Sequence, residues 1–134
     1  MKRKYAILYL LAAAANVTAW LLYWNGQPPP SDFTAAEFHD EFKKDRQAAH
    51  QRCEGRSLAI RGEVLYVGDS WLLPHDWKFV ELGQAGAGEV MCSFSPTTVD
   101  QAGRLVLGRV VVIRGVYDGE FGGYPMLKDC VVVR

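Results

Sequence analysis

The alternation of apolar and polar residues after Ser57 constrains the fold more than any other feature of this 134-residue chain. Apolar side chains recur at every second position from Leu58 to Tyr66, the period of a β-strand with one buried face. Gly62 stands in the middle of this series, and a glycine inside a long strand indicates a bulge or a sharp bend. We therefore predict one long bent strand that pairs with a strand at each edge of the sheet, as the first strand of a small barrel does.

The rest of the chain continues the β pattern around one short helix. Five further segments complete it: strands over 78–82 and 89–94, a helix over 96–105, and strands over 109–117 and 124–133. The loop 83–88 is rich in glycine, and Ser95 and Pro96 suit the N-cap and first position of the helix. Residues 118–123 predict a loop. This order favours a five-stranded OB-fold Greek-key barrel; a small β-sandwich with peripheral helices is the alternative.

An amphipathic helix precedes the strands. Thr34 and Glu37 fit a capping box, and Gly55 suits the position just after a helix end. One apolar stripe follows at helical spacing: Phe38, Phe42, Ala49 and Cys53. We predict a mainly β protein with this helix packed on the barrel.

The first 24 residues predict a membrane anchor. The segment from Tyr5 to Trp24 has no charged residue, and a helix of this length spans ~30 Å, the thickness of a bilayer core. Tyr5 and Trp24 mark its ends, where aromatic rings favour the interface. The bases at positions 2–4 should remain in the cytoplasm, which places the C-terminal domain on the far side of the membrane.

A cleaved signal peptide and a buried core helix are the alternatives to an anchor. Residues 17–19 resemble a cleavage site, but cleavage there would leave a strongly apolar new N-terminus. The segment lacks the polar face of a globular helix. Residues 25–31 contain three consecutive prolines and predict an extended linker. We thus divide the chain into an anchor (1–24), a linker (25–31) and an OB-fold domain (32–134).

The charge distribution argues against a nucleic-acid partner. The chain is formally neutral, but without the three N-terminal bases its net charge is about −3. Proteins that grip phosphates usually carry a basic stripe, which this domain lacks.

Several short segments resemble the bacterial tRNA_anti-like proteins, OB-folds that often follow a signal or anchor segment. The matching segments are Gly55-Arg56, Arg61-Gly62-Glu63-Val64, Val90-Met91-Cys92-Ser93-Phe94, Ile113-Arg114-Gly115 and Leu127-Lys128-Asp129-Cys130. The sequence departs from the family near Cys53, where an aromatic residue is expected, and near Asp45, where an asparagine is expected. The resemblance implies an exported OB-fold domain and no established activity.

The cysteines suggest a disulfide. Cys92 and Cys130 lie in predicted strands that are neighbours in an OB barrel, and an exported domain meets an oxidising compartment. Two buried thiols that pack as small apolar groups are the alternative. Cys130 would share a face with Lys128 unless its strand bulges. We expect Cys53 to be buried under the first helix.

No catalytic, metal or cofactor site is predicted. His50 and Cys53 are three residues apart on a helix and could contact the same metal ion. Two ligands do not make a metal site, however, and neither His39 nor His75 is spaced from this pair as a further ligand would be. The chain has no recognisable nucleophile triad or paired acidic motif. We therefore expect a protein that is not an enzyme.

Four aromatic residues form the candidate ligand or partner face. Trp71 and Trp77 lie in or beside the loop after the first barrel strand, and Phe121 and Tyr124 lie in or beside the loop before the last. These two loops border the binding face of an OB-fold. Aromatic rings there could stack on a ligand or could simply cover an open barrel end.

The favoured hypothesis is a binding module in the bacterial inner membrane, with its domain in the periplasm and a protein or envelope component as partner. The second is a single-stranded nucleic-acid-binding domain. The third is a small-ligand carrier analogous to the cytochrome-c haem chaperone, which also pairs an anchor with an exported OB domain. That protein attaches haem through a histidine toward its C-terminal end, whereas no histidine follows His75 here.

Overall fold

The computed structural model describes residues 31–84 and 87–133. This part of the chain contains six strands and three helices in the order β1 (Phe33–Thr34), α1 (Ala35–Lys44), α2 (Arg46–Cys53), β2 (Ser57–Gly68), β3 (Lys78–Gln84), β4 (Ala87–Phe94), α3 (Val99–Gly103), β5 (Val110–Phe121) and β6 (Tyr124–Val133). The predicted anchor, from Tyr5 to Trp24, lies outside the described residues. No helix in the described part of the chain is both long enough and apolar enough to cross a membrane.

Five of the strands close into a barrel. They are hydrogen-bonded in the order β2-β3-β4-β6-β5, and β5 pairs again with β2. The pairing of β4 with β6 is parallel, and the other barrel pairings are antiparallel. This topology confirms the predicted OB-fold barrel over the β-sandwich.

The bend in β2 allows the barrel to close. Residues Ser57–Glu63 of this strand pair with β5, and Glu63–Gly68 pair with β3. A Cβ atom on Gly62 would lie 3.2 Å from Ala35 Cβ, from Leu82 Cβ and from the Gly83 nitrogen. Glycine therefore suits the close approach of α1 and β3 at this point. The irregularity of β2 lies further along the strand, between Val64 and Tyr66, rather than at Gly62.

The predicted single amphipathic helix is in fact two. Thr34 caps α1, and its Oγ1 accepts a hydrogen bond from the Glu37 amide at 3.1 Å. Asp45 then adopts an extended conformation and caps α2, with its Oδ1 accepting from the Ala48 amide at 3.1 Å. An aspartate with a free side-chain oxygen competes with the helical backbone, so the chain breaks there. The predicted stripe is nevertheless buried in full: Phe38, Phe42, Ala49 and Cys53.

Phe38 is the centre of an aromatic cluster that fastens α1 to the barrel. It is fully buried, and its ring centroid lies 5.6 Å from that of Phe33, 5.0 Å from that of Phe42 and 6.3 Å from that of Tyr117. Phe33 is in β1, a two-residue strand parallel to β2 that the sequence pattern did not predict. These rings link β1 and α1 to Tyr117 of β5, which is distant from them in sequence.

Several predicted boundaries are wrong. The last helix begins at Val99 rather than Pro96, because residues 95–98 form a turn in which the Thr98 amide bonds to the Ser95 carbonyl. Strands β3 and β4 extend into the predicted glycine-rich loop. Strand β5 continues to Phe121, and the turn before β6 is Gly122-Gly123, both with positive φ. Hydrogen bonding to neighbouring strands thus extends β3, β4 and β5 through polar and glycine residues that, in the sequence alone, predict loops.

A bulge turns Cys130 into the core. The register between β5 and β6 shifts between Arg114 and Val116, and Asp129 opposite has a φ of 50°. As a result Lys128 is exposed while Cys130 is fully buried. A Cβ atom on Gly115 would lie 2.7 Å from Cys130 Sγ. The missing side chain of this glycine therefore provides the space that the sulfur occupies.

The predicted disulfide is not formed in the structure. Cys92 and Cys130 lie on the paired strands β4 and β6, as expected, but both are free thiols, as is the buried Cys53. A hydrogen bond with the Cys130 thiol and complete burial hold the pKa of Cys92 well above its ordinary value. The two thiols thus lie close together as buried neutral groups, and their covalent bonding stays a prediction.

We expect Gly115→Ala to destabilise the protein, because the new methyl group would overlap Cys130 Sγ and Leu127 Cβ. The expected loss in the free energy of unfolding is ~1–3 kcal/mol, typical of an overpacked core. Urea unfolding of the detergent-solubilised chain, followed by tryptophan fluorescence, measures it. Gly103→Ala is the matched control, since no atom lies within 4 Å of the added Cβ. Equal stability of the two variants would contradict the close approach at Gly115.

Candidate binding face

Two loops meet at one end of the barrel and bring Trp71 and Phe121 together. Trp71 lies in the loop between β2 and β3, and Phe121 is the last residue of β5. Their ring centroids are 6.0 Å apart with an interplanar angle of 72°, an edge-to-face contact. Trp71 is nevertheless 86% exposed and Phe121 41% exposed. We call these two residues the aromatic pair.

The other two predicted face residues are placed differently. Trp77 is half-buried where the loop enters β3, and its amide bonds to the Pro74 carbonyl at 3.0 Å. Tyr124 begins β6, and its ring lies 5.9 Å from that of His39 on α1. Tyr124 thus packs beside the helix, whereas the aromatic pair projects into solvent.

Local hydrogen bonds fix the loop that carries Trp71. The Leu72 amide bonds to Ser70 Oγ at 3.2 Å, which turns the chain immediately around Trp71. Asp69 accepts from Lys78 Nζ through its carboxylate at 2.9 Å, and from the Tyr66 hydroxyl through its carbonyl at 2.9 Å. Both ends of the loop are therefore tied to the strands, and the position of Trp71 is defined before any ligand binds.

The outside of the sheet beside this loop carries further apolar side chains. Tyr66 packs against Phe79, with ring centroids 6.1 Å apart. The cross-strand register then aligns Tyr66 with Glu81, Glu81 with Met91, and Met91 with Met126. Val80, Leu82, Val90 and Cys92 alternate with these positions and are fully buried in the core, so the aligned row points outward. We call Tyr66, Glu81, Glu89, Met91 and Met126 the outer face; Phe79, against which Tyr66 packs, is itself buried.

The outer face contains two carboxylates that repel each other. Partial burial raises the pKa of Glu81, and the negative charge of Glu89 raises it further. The four ion pairs found among the described residues include neither of them. The face therefore carries uncompensated negative charge among apolar side chains.

The sequence pattern did not identify this acidic pair. Glu81 and Glu89 are on different strands, and they become neighbours only through the register of the β3–β4 hairpin. Polar residues at alternate positions of a strand indicate which side chains face outward. They do not indicate which side chains of two different strands become neighbours. The hairpin register, with its irregularity between Leu82 and Gln84, supplies this information.

A second polar cluster joins α2 to the barrel. His50 Nδ1 lies 3.0 Å from the Tyr117 hydroxyl, and Arg46 Nε lies 3.0 Å from Glu120 Oε2. Burial and the nearby charge of Glu120 raise the pKa of Tyr117 to about 12. A neutral phenol thus serves as a hydrogen-bonding partner of His50, and the cluster holds the helix in place.

His50 and Cys53 do not share a ligand position, since His50 is exposed and directed to Tyr117 while Cys53 is buried. Within residues 31–84 and 87–133 no group of three or more His, Cys, Asp or Glu side chains is arranged to hold a metal ion.

Solved structures with the same fold include two kinds of protein. A candidate nucleic-acid-binding lipoprotein from Klebsiella pneumoniae subsp. pneumoniae matches with a TM-score of 0.65 and 16% identity, over 81% of this chain and 100% of its own. The OBody AM1L10, solved bound to hen egg-white lysozyme, matches with a TM-score of 0.53 and 17% identity, over 81% of this chain and 97% of its own. These similarities establish the OB-fold barrel. No family model and no curated protein matches the sequence.

We expect Glu81→Gln to stabilise the protein at pH 7, because it removes a partly buried charge and its repulsion with Glu89. The gain in the free energy of unfolding should stay below ~1 kcal/mol, since solvent screens the pair. Folding raises the pKa of this carboxyl, so between its pKa in the unfolded chain and its higher pKa in the folded protein only the folded state holds the proton. The wild type therefore loses stability as the pH rises through this range. The variant should lack this loss.

Urea unfolding over a pH series measures the difference between the wild type and Glu81→Gln. Asp40→Asn, on the exposed side of α1, is the control for removing one surface carboxylate. A Glu81→Gln variant that is less stable than the wild type at pH 7 would show that the charge is compensated.

Proposed function

We propose that this protein is a membrane-anchored, non-catalytic OB-fold module that binds a protein partner in the cell envelope. The observation that carries the proposal is the exposed aromatic pair, held by a pre-formed loop at the end of the barrel. A tryptophan that is 86% exposed leaves a large apolar surface in water. Trp is among the residues that contribute most to protein interfaces, where its ring is buried by the partner.

The membrane location is proposed from the sequence. The apolar segment from Tyr5 to Trp24 and the bases before it favour the bacterial inner membrane, with the domain on the periplasmic side. The neighbour from Klebsiella pneumoniae is a lipoprotein, which is compatible with an envelope location. The absence of a recognisable catalytic motif in the sequence supports a binding role rather than an enzymatic one.

The same fold serves different kinds of partner in the solved structures. The OBodies AM1L10 and AM3L15 are bound to a protein, lysozyme. The lipoprotein from Klebsiella pneumoniae is described as a candidate nucleic-acid-binding protein. Its description keeps nucleic acid as the second candidate for this chain.

The charges of the outer face favour protein over nucleic acid. Phosphates would add negative charge beside Glu81 and Glu89, which already repel each other. The net charge of about −3 after residue 30 also repels nucleic-acid phosphates. A small-ligand carrier is less well supported, because the aromatic pair is open to solvent rather than enclosed in a pocket.

Site-specific photo-crosslinking in living cells tests the proposal. The full-length chain carries p-benzoylphenylalanine at position 71 or, as a control, at position 107. Leu107 is also an exposed apolar residue, at 63%, but lies in the connection between α3 and β5. We expect a discrete adduct from position 71 that nuclease does not alter and in which mass spectrometry finds peptides of a second protein, and no such adduct from position 107.

Two results would contradict the proposed function. An adduct from position 71 that is sensitive to nuclease would assign the face to nucleic acid. Identical adducts from both positions, or none from position 71, would show that the aromatic pair does not select a protein partner.

A further inference from the structure

The two carboxylates of the outer face are destabilising where they stand. Glu81 is partly desolvated, and Glu89 on the neighbouring strand adds repulsion. The ion pairs found among the described residues, such as Lys78–Asp69 at 2.9 Å and Arg52–Glu41 at 2.7 Å, include neither carboxylate. A like-charged pair beside the exposed Tyr66 ring is suited to a ligand that supplies a positive charge.

The surroundings of this pair define the ligand chemistry. Glu81 is aligned with Tyr66 on one side and Met91 on the other, and Phe79 packs against Tyr66. A ligand that covers these apolar groups also excludes water from the carboxylates, which strengthens their attraction for a cation. The Tyr66 ring, 41% exposed, offers a further favourable surface for a cation.

We propose that the protein partner presents a Lys or Arg side chain flanked by apolar residues, with the cation between Glu81 and Glu89 and the apolar residues against the outer face and the aromatic pair. This inference rests on the proposed function and specifies its partner. A cation at this position relieves the repulsion between the carboxylates, whereas an acidic segment would increase it.

Two labelled peptides of equal length provide the test. One alternates Lys with Leu and Phe, and the other has Glu at every Lys position. Fluorescence anisotropy measures their binding to the detergent-solubilised full-length chain at two salt concentrations. We expect the Lys peptide to bind with an affinity that falls as salt increases, and the Glu peptide not to bind.

Paired variants then locate the charge effect. Glu81→Gln with Glu89→Gln should weaken binding of the Lys peptide ~10-fold, since two ion pairs near the surface are lost. The matched control is Glu54→Gln with Asp100→Asn, which removes two exposed carboxylates outside the face and should leave the affinity unchanged. Trp71→Ala should weaken binding without reducing its salt dependence.

The inference is overturned if neither peptide binds, if the Glu peptide binds as well as the Lys peptide, or if both paired variants weaken binding equally. Crosslinking at position 71 does not depend on these charges. A nuclease-resistant adduct with a second protein, found when the peptides show no charge preference, would therefore contradict the basic partner while supporting the proposed function.

Discussion

Closure of the barrel depends on β2, the strand that pairs with two others. Because β2 pairs with β5 up to Glu63 and with β3 from Glu63 onward, this single strand joins the two sides of the sheet. A Cβ atom at Gly62 would lie 3.2 Å from Ala35 Cβ and Leu82 Cβ, so glycine favours the close approach of α1 and β3 there. The buried ring of Phe38 fastens α1 in the same region. The binding face is a consequence of this closure, since it brings the loop after β2 and the end of β5 to one end of the barrel.

The candidate site combines rigidity with unfavourable local energetics. Hydrogen bonds from Tyr66 and Lys78 to Asp69 fix the loop, while Trp71 remains in water and Glu81 lies near a like charge. Neither Trp71 nor the acidic pair contributes to the core. Surface features that cost stability and sit on a pre-formed scaffold are typical of binding sites. These features are the ones that the proposed basic and apolar partner would use.

Much of the fold could be predicted from local patterns. Alternation identified β2, and helical spacing identified the stripe from Phe38 to Cys53, because burial of one face imposes a period on the sequence. The break at Asp45 and the bulge at Asp129 were not predicted, since each depends on a side-chain or backbone conformation of one residue. For the site, the sequence named the aromatic residues of the two loops. It did not pair Glu81 with Glu89, because only the hairpin register makes them neighbours.

Protection of the loop that carries Trp71 in cells tests the central claim most directly. The native cysteines are buried, so Leu72→Cys, directly after Trp71, and Leu107→Cys each introduce one accessible thiol that a small membrane-impermeant maleimide can modify, and both leave the Trp71 ring in place. If the aromatic pair is covered by a partner outside the cytoplasm, position 107 should react in intact cells while position 72 is protected, and both should react in the purified chain. Equal reaction at both positions in cells would contradict an occupied face, and no reaction at either would contradict the extracytoplasmic location.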